Sequence, residues 1–425
     1  MRQKDLFDAE PAEWEVDAAQ IHRVAAVAVP LGPDGVFDYL APDEFQDADR
    51  PEQLVEPGRR VRVPLGRGNR EVVGYCVAVE TRRVAERQLK PIREVVDSHS
   101  LLSREMLRLT RWMADYYLCP WGQVLEGVVP AGVRGHAGSR VVKLLSVPPD
   151  VRERIDQQKL RSPQQRKALR LLAESDHSLT AADLADLVGC TVGPIRQLLK
   201  QGLIEAKATR VATGQRQETV TPREPALDLN ADQQSALSTI TDALEERRPR
   251  GIVLHGVTGS GKTEVYLQAI EKVVGFGRQA IVLVPEISLT PQTVRRFRAR
   301  FDGVAVLHSH LSDVERHRYW QSIAQGEVQV IVGARSAVFA PTKHLGLIVI
   351  DEEHEATFKQ DSAPRYHARD VAWRRAEAEN IPLILGSATP SLESWQLAAA
   401  GEFRYVALPK RVLDRPMPDV AIVDP

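Results

Sequence analysis

The hydrophobic positions of this chain change their spacing at about residue 224. Beyond that point, short and nearly continuous apolar runs recur, and a segment with helical spacing follows each of them. Strands that are apolar on both faces and alternate with helices are typical of a parallel sheet covered by helices on both sides. We therefore predict one α/β domain over residues 224–410. The runs are GIVLHG, QAIVLVP, VAVLH, VQVIVG, LGLIVID and IPLILGS.

The first half of the chain has shorter patterns. Residues 21–97 contain β-branched runs between Pro and Gly turns, which predicts a β-rich domain. A helical stretch and one more strand-like run make residues 98–156 a connector. Residues 157–212 then show two helices around a short Gly-containing turn and a final strand, the outline of a winged helix-turn-helix. We expect residues 1–20 to be a disordered lead-in.

The second helix of this winged helix carries Arg196 and Lys200, as expected of a helix that contacts DNA. A module that packs against protein is the alternative, because winged helices serve both purposes. The predicted fold class is therefore multidomain α/β, with a β-rich N-terminal domain, a winged helix and one parallel α/β lobe.

The composition fits an ordinary soluble protein and narrows the classes of site. The chain has 425 residues, of which 43% are hydrophobic and 27% charged, and a net charge of −1. A nucleic-acid partner would therefore be held by local basic patches and not by overall charge. The 3 cysteines are far apart, which argues against a disulfide framework or a zinc-binding cysteine pair. No apolar run could span a bilayer and the N-terminus does not resemble a signal peptide, so we expect a cytoplasmic protein without a membrane partner.

The apolar run that ends at His255 leads directly into a phosphate-binding loop. The string GVTGSGKT fits the pattern G-x-x-x-x-G-K-[ST], whose glycines allow backbone N–H groups to surround the phosphates of a nucleotide. Lys262 would bring a positive charge to the same oxygens, and the Thr263 hydroxyl would ligate Mg²⁺. A strand before the loop and an amphipathic helix after it favour this interpretation over a chance glycine loop. The predicted ATP-binding loop consists of Gly256, Val257, Thr258, Gly259, Ser260, Gly261, Lys262 and Thr263.

A later apolar strand ends in the acidic string Asp351-Glu352-Glu353-His354. Carboxylates at the C-terminal end of a strand beside a phosphate loop are suited to hold Mg²⁺ and to activate water. We predict Asp351 as a magnesium ligand and Glu352 as the base for the attacking water, so that the catalytic set is Lys262, Asp351 and Glu352. A solvated acidic turn is the alternative interpretation.

Two further strings support an ATPase. GSATPS closes another apolar strand, and its Ser387 and Thr389 can respond to the γ-phosphate and pass its loss to a neighbouring surface. Upstream of the loop, LNADQQSA places Gln233 where an adenine-contacting glutamine is expected. The chain therefore carries the parts of a nucleotide-binding site in the order that a motor domain uses.

With these motifs the chain resembles superfamily 2 helicases, and within them the PriA family of primosomal proteins that restart stalled replication forks. The resemblance covers residues 21–425 and includes LVPEISLTPQ, VGARSAVFAP, VIDEEHEATFKQ, RYHARDVA and LGSATPSLES. It implies that residues 351–354 form a DEAH-type box in a RecA-like lobe. It also implies that Arg335 lines a single-strand path, which Ser387 and Thr389 connect to the nucleotide.

The same resemblance implies a loop that couples DNA contact to ATP turnover. This loop is FKQDSAPRYHARD, and its candidate residues are Tyr366 and Arg369. Pro364 stands where the family's pattern allows a tryptophan, so we expect either weaker coupling or stacking of a base on Tyr366. Stacking on an aromatic ring is worth about 1–3 kcal/mol per base.

The N-terminal strings VFDYLAP and GRRVRVPLGRGNREVVGYCVAV resemble the family's domain that captures the 3′ end of a nascent strand. Asp38 can accept a hydrogen bond from a terminal 3′-hydroxyl, an aromatic flank can hold the last base, and Lys90 can hold a phosphate. Taken alone, FDY would be a core strand with one turn carboxylate. The pocket positions implied by the resemblance are Phe37, Asp38, Tyr39, Gly66 and Lys90.

The resemblance further implies cofactors, partners and an activity. The cofactors would be ATP and Mg²⁺, and the nucleic-acid partners would be forked and single-stranded DNA. Protein partners would be other primosome proteins, the replicative helicase loader and single-stranded DNA-binding protein, with this chain as a monomer. The activity would be that of a 3′ to 5′ DNA helicase or translocase. A non-catalytic DNA-binding scaffold is the alternative, whereas GSATPS disfavours a P-loop kinase or metabolic NTPase.

The end of the sequence carries an expectation of its own. Residues 411–425 form a proline-rich stub, without another strand–helix series or the cysteine pairs that bind zinc in this family. A superfamily 2 motor works with two α/β lobes, and the second supplies an arginine to the γ-phosphate. We therefore expect residues 1–425 to bind forks and ATP, to hold no zinc, and not to unwind duplex DNA alone.

Overall fold

The computed structural model describes residues 20–30, 35–47, 49–84, 89–135, 139–148, 151–152, 160, 162–174, 179–212 and 222–412. The expected lead-in and stub lie outside these residues, apart from positions 20, 411 and 412. The contacts between residues divide the chain into two units, which we describe separately. The first unit joins Met1–Arg134 with Thr219–Pro425, and the second is Gly135–Glu218.

The first unit begins with an antiparallel sheet of five strands in the order β2-β1-β4-β3-β5. A bulge between Ala26 and Val27 interrupts the pairing of β1 with β4. Val27, Val61 and Val63 are fully buried, because alternate positions of these β-branched strands face one core. This sheet confirms the prediction of a β-rich N-terminal region. Its strands are β1 (Gln20–Ala28), β2 (Val36–Leu40), β3 (Arg60–Leu65), β4 (Arg70–Val84) and β5 (Glu94–Val95).

Three helices connect this sheet to the rest of the unit: α1 (Arg104–Tyr116), α2 (Trp121–Val128) and α3 (Ala131–Arg134). Helix α2 approaches the sheet so closely that a Cβ at Gly122 would lie 2.1 Å from the Val29 carbonyl oxygen. One cluster of buried side chains runs from the sheet through α1 and α2 into the parallel sheet described next. The connector is therefore part of a continuous core and not a flexible linker.

The second sheet of this unit contains seven strands, all parallel, in the order β11-β12-β10-β13-β14-β9-β15. Its central strands are completely buried, since helices cover both faces. The architecture confirms the predicted parallel α/β lobe. The strands are β9 (Arg250–Gly256), β10 (Gln279–Leu283), β11 (Val304–Leu307), β12 (Val330–Gly333), β13 (Leu345–Asp351), β14 (Pro382–Ser387) and β15 (Phe403–Leu408).

Apart from the helix that follows Gly261, the helices of this lobe begin at side chains that accept hydrogen bonds from the first turn. Ser312 and Glu315 form a reciprocal capping box, and Ser391 accepts from the backbone N–H of Ser394. The helices are α7 (Ala231–Glu246), α8 (Lys262–Gly275), α9 (Pro291–Arg298), α10 (Asp313–Gln325), α11 (Ala368–Glu379) and α12 (Leu392–Ala399).

The second unit packs three helices against a three-stranded antiparallel sheet with β6 in the middle. Strand β6 pairs with β8 over its whole length, although the sequence pattern placed it in the connector, before a domain expected to start at residue 157. Pairing between strands far apart in the chain leaves no local signal, which explains this difference. The elements are β6 (Ser139–Ser146), α4 (Pro163–Glu174), β7 (Leu179–Thr180), α5 (Ala181–Val188), α6 (Val192–Lys200) and β8 (Glu205–Ala212).

Within the described ranges, every helix is too short or too polar to cross a lipid bilayer.

Candidate functional site

The phosphate-binding loop connects β9 to α8 at the C-terminal edge of the parallel sheet. Gly259 and Gly261 have φ angles of +82° and +81°, a conformation that residues with a Cβ rarely adopt. A Cβ at Gly261 would also lie 2.2 Å from Nε2 of Gln233. The loop ends at the first turn of α8, whose free N–H groups and dipole favour an anion. The loop lines a cleft of about 610 Å³.

Lys262 points into this cleft. Its Nζ donates a hydrogen bond to the Gly256 carbonyl oxygen at 2.8 Å and lies 3.8 Å from Oε1 of Glu352. Oδ1 of Asp351 accepts hydrogen bonds from the Tyr266 hydroxyl and from the Glu352 backbone N–H, both at 3.2 Å. The structure therefore brings together the three residues predicted to be catalytic.

Burial, and to a smaller extent the neighbouring Glu352 carboxylate, raise the pKa of Asp351 to about 6. Lys262 opposes both effects, because its positive charge favours the ionised carboxylate. A second cation near Asp351 would act in the same direction as Lys262. The Asp351 carboxyl group thus lies at a position where a bound cation would favour its ionised form.

Glu352 has a φ angle of +48°, which is uncommon for a residue other than glycine. The turn around it is held by the Glu353 N–H, which donates to the Gly386 carbonyl, and by the Glu355 N–H, which donates to the Glu352 carbonyl. Backbone strain of this kind costs about 1–3 kcal/mol and is concentrated at functional sites. The turn keeps the Glu352 carboxylate at the cleft, where it faces Lys262.

The residues around the cleft suit a nucleotide with Mg²⁺. Thr263 and Asp351 both line it, and a hydroxyl with a carboxylate is the oxygen ligand set that Mg²⁺ prefers. The buried Ser260 hydroxyl finds no hydrogen-bond partner among the described residues, so it can accept or donate one to a bound group. As for other metals, the described residues contain no group of three or more His, Cys, Asp or Glu side chains that could hold an ion.

Glu353 and His354 face away from the cleft, toward the turn that follows β14. Glu353 is only 1% exposed and accepts hydrogen bonds from the Ser391 N–H, the Ser391 hydroxyl and the Ser394 hydroxyl. His354 Nδ1 hydrogen-bonds the Ser387 hydroxyl at 2.8 Å. The acidic turn and the GSATPS turn are therefore one hydrogen-bonded network.

Further members of this network are harder to foresee from the sequence. The Thr389 N–H donates to the Ser387 hydroxyl at 2.9 Å, and Arg369 Nη1 lies 2.7 Å from the Ser391 hydroxyl and 3.5 Å from Glu353. Ser387, Thr389 and Arg369 were predicted from the sequence motifs, whereas Ser391 was not. Tyr266 was not predicted either, although it stands four residues after Lys262 on the same helix face, a spacing that could have indicated it.

The Gln233 side chain forms hydrogen bonds within the protein. Its Oε1 accepts from the Asn230 N–H and its Nε2 donates to the Ser260 carbonyl, both at 2.9 Å, so the side chain braces the phosphate-binding loop. A contact between Gln233 and adenine stays a prediction.

Arg335 and Tyr366 meet beside a second cleft, of about 730 Å³, which Arg335 lines together with Lys359 and Ser309. Arg335 Nη1 donates to the Thr357 carbonyl at 3.0 Å and to the Lys359 carbonyl. Tyr366 is only 5% exposed and packs against Phe339. The expectation that Tyr366 stacks on a base is therefore corrected, because its ring is inside the core.

The predicted 3′-end pocket residues lie on the first sheet and its adjoining loops. Asp38 pairs with Arg82 of β4, a partner that the sequence analysis did not name. Phe37 is 43% exposed, whereas Tyr39 is buried and its hydroxyl donates to the Pro64 carbonyl, so a stacking flank could only be Phe37.

Lys90 and Gly66 are brought into direct contact. Lys90 Nζ donates to the Gly66 carbonyl at 2.6 Å, and Gly66 has a φ angle of +67° with open space on its Cα. The exposed ammonium group is thus held at a turn where another backbone can approach closely.

Comparison with known proteins gives two family matches. Residues 26–130 match the 3′DNA-binding domain of PriA, and residues 230–397 match the DEAD/DEAH box helicases.

Similar curated proteins carry the name replication restart protein PriA. The relative from Bacillus subtilis (strain 168) is 33% identical and aligns with 92% of this chain and 56% of its own length. The relative from Synechocystis sp. is 34% identical (94% and 56%), and that from Haemophilus influenzae is 36% identical (92% and 52%). The chain thus spans about half the length of these relatives.

Proposed function

We propose that this chain, which belongs to the PriA family of replication restart proteins, is a DNA-dependent ATPase that recognises branched DNA. The observation that carries the proposal is the convergence of Lys262, Asp351 and Glu352 at one cleft. The hydrogen-bonded network behind that cleft leads to Arg369, which lies at the end of the expected coupling loop, and Lys359 of that loop contacts Arg335. Nucleotide chemistry and a DNA-facing surface therefore share a set of connected residues.

The roles of the cleft residues follow from their charges and positions. Lys262 would leave its carbonyl partner to bind the β- and γ-phosphates. Bound Mg²⁺ would neutralise phosphate charge and would be held by Thr263 and Asp351. Glu352 would accept the proton of the attacking water, a role that general bases fill with rate gains of about 10²–10⁴-fold.

On the DNA side, the proposal assigns the 3′-terminal nucleotide to Asp38 and Lys90. Asp38 is exposed and already engaged by Arg82, so it can accept a hydrogen bond from a hydroxyl while it stays paired. Lys90 would contact a phosphate, and Phe37 would flank the last base. Single-stranded DNA would pass along the second cleft, near Arg335.

The family relation extends the proposal to activity and partners. Movement along DNA would run 3′ to 5′, in a monomer located in the cytoplasm. The partners would be other primosome proteins, the replicative helicase loader and single-stranded DNA-binding protein.

A phosphate-release assay with three DNA states tests the core of this proposal. We expect turnover with a forked substrate carrying a leading-strand 3′ end to exceed turnover with a linear duplex, and both to exceed turnover without DNA. ATP turnover that is the same with and without DNA would favour a metabolic NTPase. Fork binding without nucleotide binding, measured by calorimetry, would favour a non-catalytic scaffold.

A further inference from the structure

Tyr117, which follows helix α1, contacts the coupling loop, here residues 359–367 of the string FKQDSAPRYHARD (residues 358–370) that the family resemblance implies. Its hydroxyl oxygen accepts a hydrogen bond from the backbone N–H of His367 at 3.2 Å. The Lys359 ammonium group lies over the same ring, 5.5 Å from its centre. One side chain of the connector thus touches both ends of the coupling loop.

The two ends of the coupling loop form its base. Lys359 and His367 are joined by an antiparallel bridge, and the Gln360 N–H donates to the Tyr366 carbonyl at 2.8 Å. Lys359 Nζ also donates to the Arg365 carbonyl at 2.7 Å. The loop therefore leaves and rejoins the lobe at one point, and Tyr117 lies against that point.

The base of the loop is connected to the nucleotide cleft through α11. His367 caps this helix, since its Nδ1 accepts from the Arg369 N–H. Arg369 contacts Ser391 and Glu353, and Glu353 is the immediate neighbour of Glu352 in the strained turn. A shift of the loop base would therefore be transmitted to the turn that holds the proposed water-activating carboxylate.

The other side of Tyr117 leads to the first sheet. Helix α1 and helix α2 share one buried cluster with Ala28 and Tyr75 of that sheet and with Phe358 beside the loop. The Arg60 side chain is paired with Asp97 at 2.7 Å and also donates to the Arg134 carbonyl at the end of α3. A displacement of the sheet that carries Asp38 would therefore move helices α1 to α3 together with it.

We propose that Tyr117 is a positioning residue: it docks the coupling loop on the connector, so that DNA held by the N-terminal sheet raises ATP turnover in the parallel lobe. This inference rests on the proposed function, because it assumes DNA-stimulated turnover. It assigns a role to a residue outside the nucleotide cleft and outside the DNA-contacting positions.

The hydroxyl group is the part of Tyr117 that the inference needs. Burial raises the pKa of this phenol to about 12, so it stays protonated and free to accept from the His367 N–H through the relevant pH range. A phenylalanine would fill the same space and keep the ring beneath Lys359. Tyr117→Phe therefore removes the hydrogen bond from the His367 N–H and the interaction of the hydroxyl with the Asp370 carboxylate, and leaves the packing in place.

Tyr116 supplies the matched control. It is the adjacent residue and also a tyrosine, but its side chain is 61% exposed and stacks on Trp112. Tyr116→Phe removes an equivalent hydroxyl that faces away from the loop base. A general effect of removing a tyrosine hydroxyl at the end of α1 would appear in both variants.

The experiment measures ATP turnover with and without a fork that carries a leading-strand 3′ end, together with fork affinity, in the unsubstituted chain and the two variants. We expect Tyr117→Phe to lower the stimulation by the fork about threefold to tenfold, the range that follows from losing one net hydrogen bond. Basal turnover and fork affinity should stay unchanged, and Tyr116→Phe should match the unsubstituted chain. Amide exchange of the loop base should become faster in Tyr117→Phe alone.

Equal stimulation in Tyr117→Phe and the unsubstituted chain would overturn the inference and leave the proposed function intact. An equal loss of basal and stimulated turnover would also overturn it, since a structural defect lowers both. Absence of any stimulation in the unsubstituted chain would overturn the proposed function and the inference with it. If Tyr117→Phe does not fold, the amide exchange rate of His367 in the unsubstituted chain must change when a fork is added, and an unchanged rate would overturn the inference.

Discussion

Glu352 shows how one residue can connect strain with chemistry. Its left-handed backbone follows directly after a buried strand, and the next residue is locked by three hydrogen bonds from two serines. The surroundings therefore hold Glu352 in a conformation that it would not adopt alone. This arrangement keeps the carboxylate at the cleft before any nucleotide binds, which reduces the reorganisation that catalysis requires.

Glu352→Gln should bind ATP normally and hydrolyse it at least about 10²-fold more slowly, because only the proton acceptor is lost. Calorimetry measures the first quantity and steady-state phosphate release the second. Glu355→Gln is the control, since Glu355 belongs to the same acidic segment but does not line the cleft. Loss of nucleotide binding in Glu352→Gln would instead make this carboxylate part of the binding shell.

Asp38→Ala should weaken binding to forks with a free leading-strand 3′ end by about 1–3 kcal/mol, the value of a hydrogen bond to a charged group. Its ion pair with Arg82 is exposed, so breaking that pair should change folding stability by at most about 1 kcal/mol. Fluorescence anisotropy with 3′-hydroxyl and 3′-blocked forks separates the two effects. Equal losses of affinity for both forks would mean that Asp38 contributes to folding and not to 3′-end binding. Glu44→Ala, which removes another exposed carboxylate, is the control.

At the scale of elements, helix α11 is held by a buried arginine. Arg375 is 3% exposed, and its guanidinium donates to the Val338 carbonyl, the Thr342 hydroxyl and the Glu379 carboxylate. The first two partners belong to the segment around VGARSAVFAP. One side chain therefore ties the helix after the coupling loop to the segment that contains Arg335.

Arg375→Met should lower the free energy of unfolding by about 3 kcal/mol, the lower end of the range for breaking a buried ion pair, because Arg375 is buried but its partner Glu379 is only partly buried. Chemical denaturation gives this value directly. Arg374→Met is a matched control: the neighbouring arginine pairs with Glu377 on the surface, where such a pair is worth about 0–1 kcal/mol. Similar losses in both variants would show that α11 depends on charge in general and not on this buried contact.

The elements also show which features the sequence could predict. Six strands of the parallel sheet, the phosphate-binding loop and the acidic turn are local patterns, and each lies where its pattern indicated. The seventh strand, β15, was not predicted, because this edge strand has several exposed positions and no continuous apolar run. Arg82, Ser391 and Tyr117 form contacts with residues that are distant in sequence. Strand β6 likewise pairs with β8, and three helices lie between these two strands along the chain. The expectation that a base stacks on Tyr366 was wrong for the same reason, since the burial of this ring depends on its contact with Phe339 and not on the residues next to it in sequence.

At the scale of the whole molecule, the first unit combines two sheets with different tasks. The antiparallel sheet carries Asp38 and Lys90 near its surface, while the parallel sheet carries the nucleotide cleft at the C-terminal ends of β9 and β13. The connector helices share a core with both sheets. The proposed DNA-capture site and the proposed nucleotide site thus lie on separate sheets of one unit, and we expect that they can be changed separately.

Lys262→Ala tests this separation. It should abolish ATP turnover, because the β- and γ-phosphates lose their fixed positive charge, and it should leave fork affinity unchanged, since Lys262 is buried at the start of α8 and its ammonium group contacts Gly256 and Glu352 at the cleft. Asp38→Ala should do the reverse, with weaker fork binding and normal nucleotide affinity. Measuring both quantities in both variants gives a reciprocal test. A tenfold loss of fork affinity in Lys262→Ala would contradict the separation, because the nucleotide cleft would then shape the DNA site even without turnover.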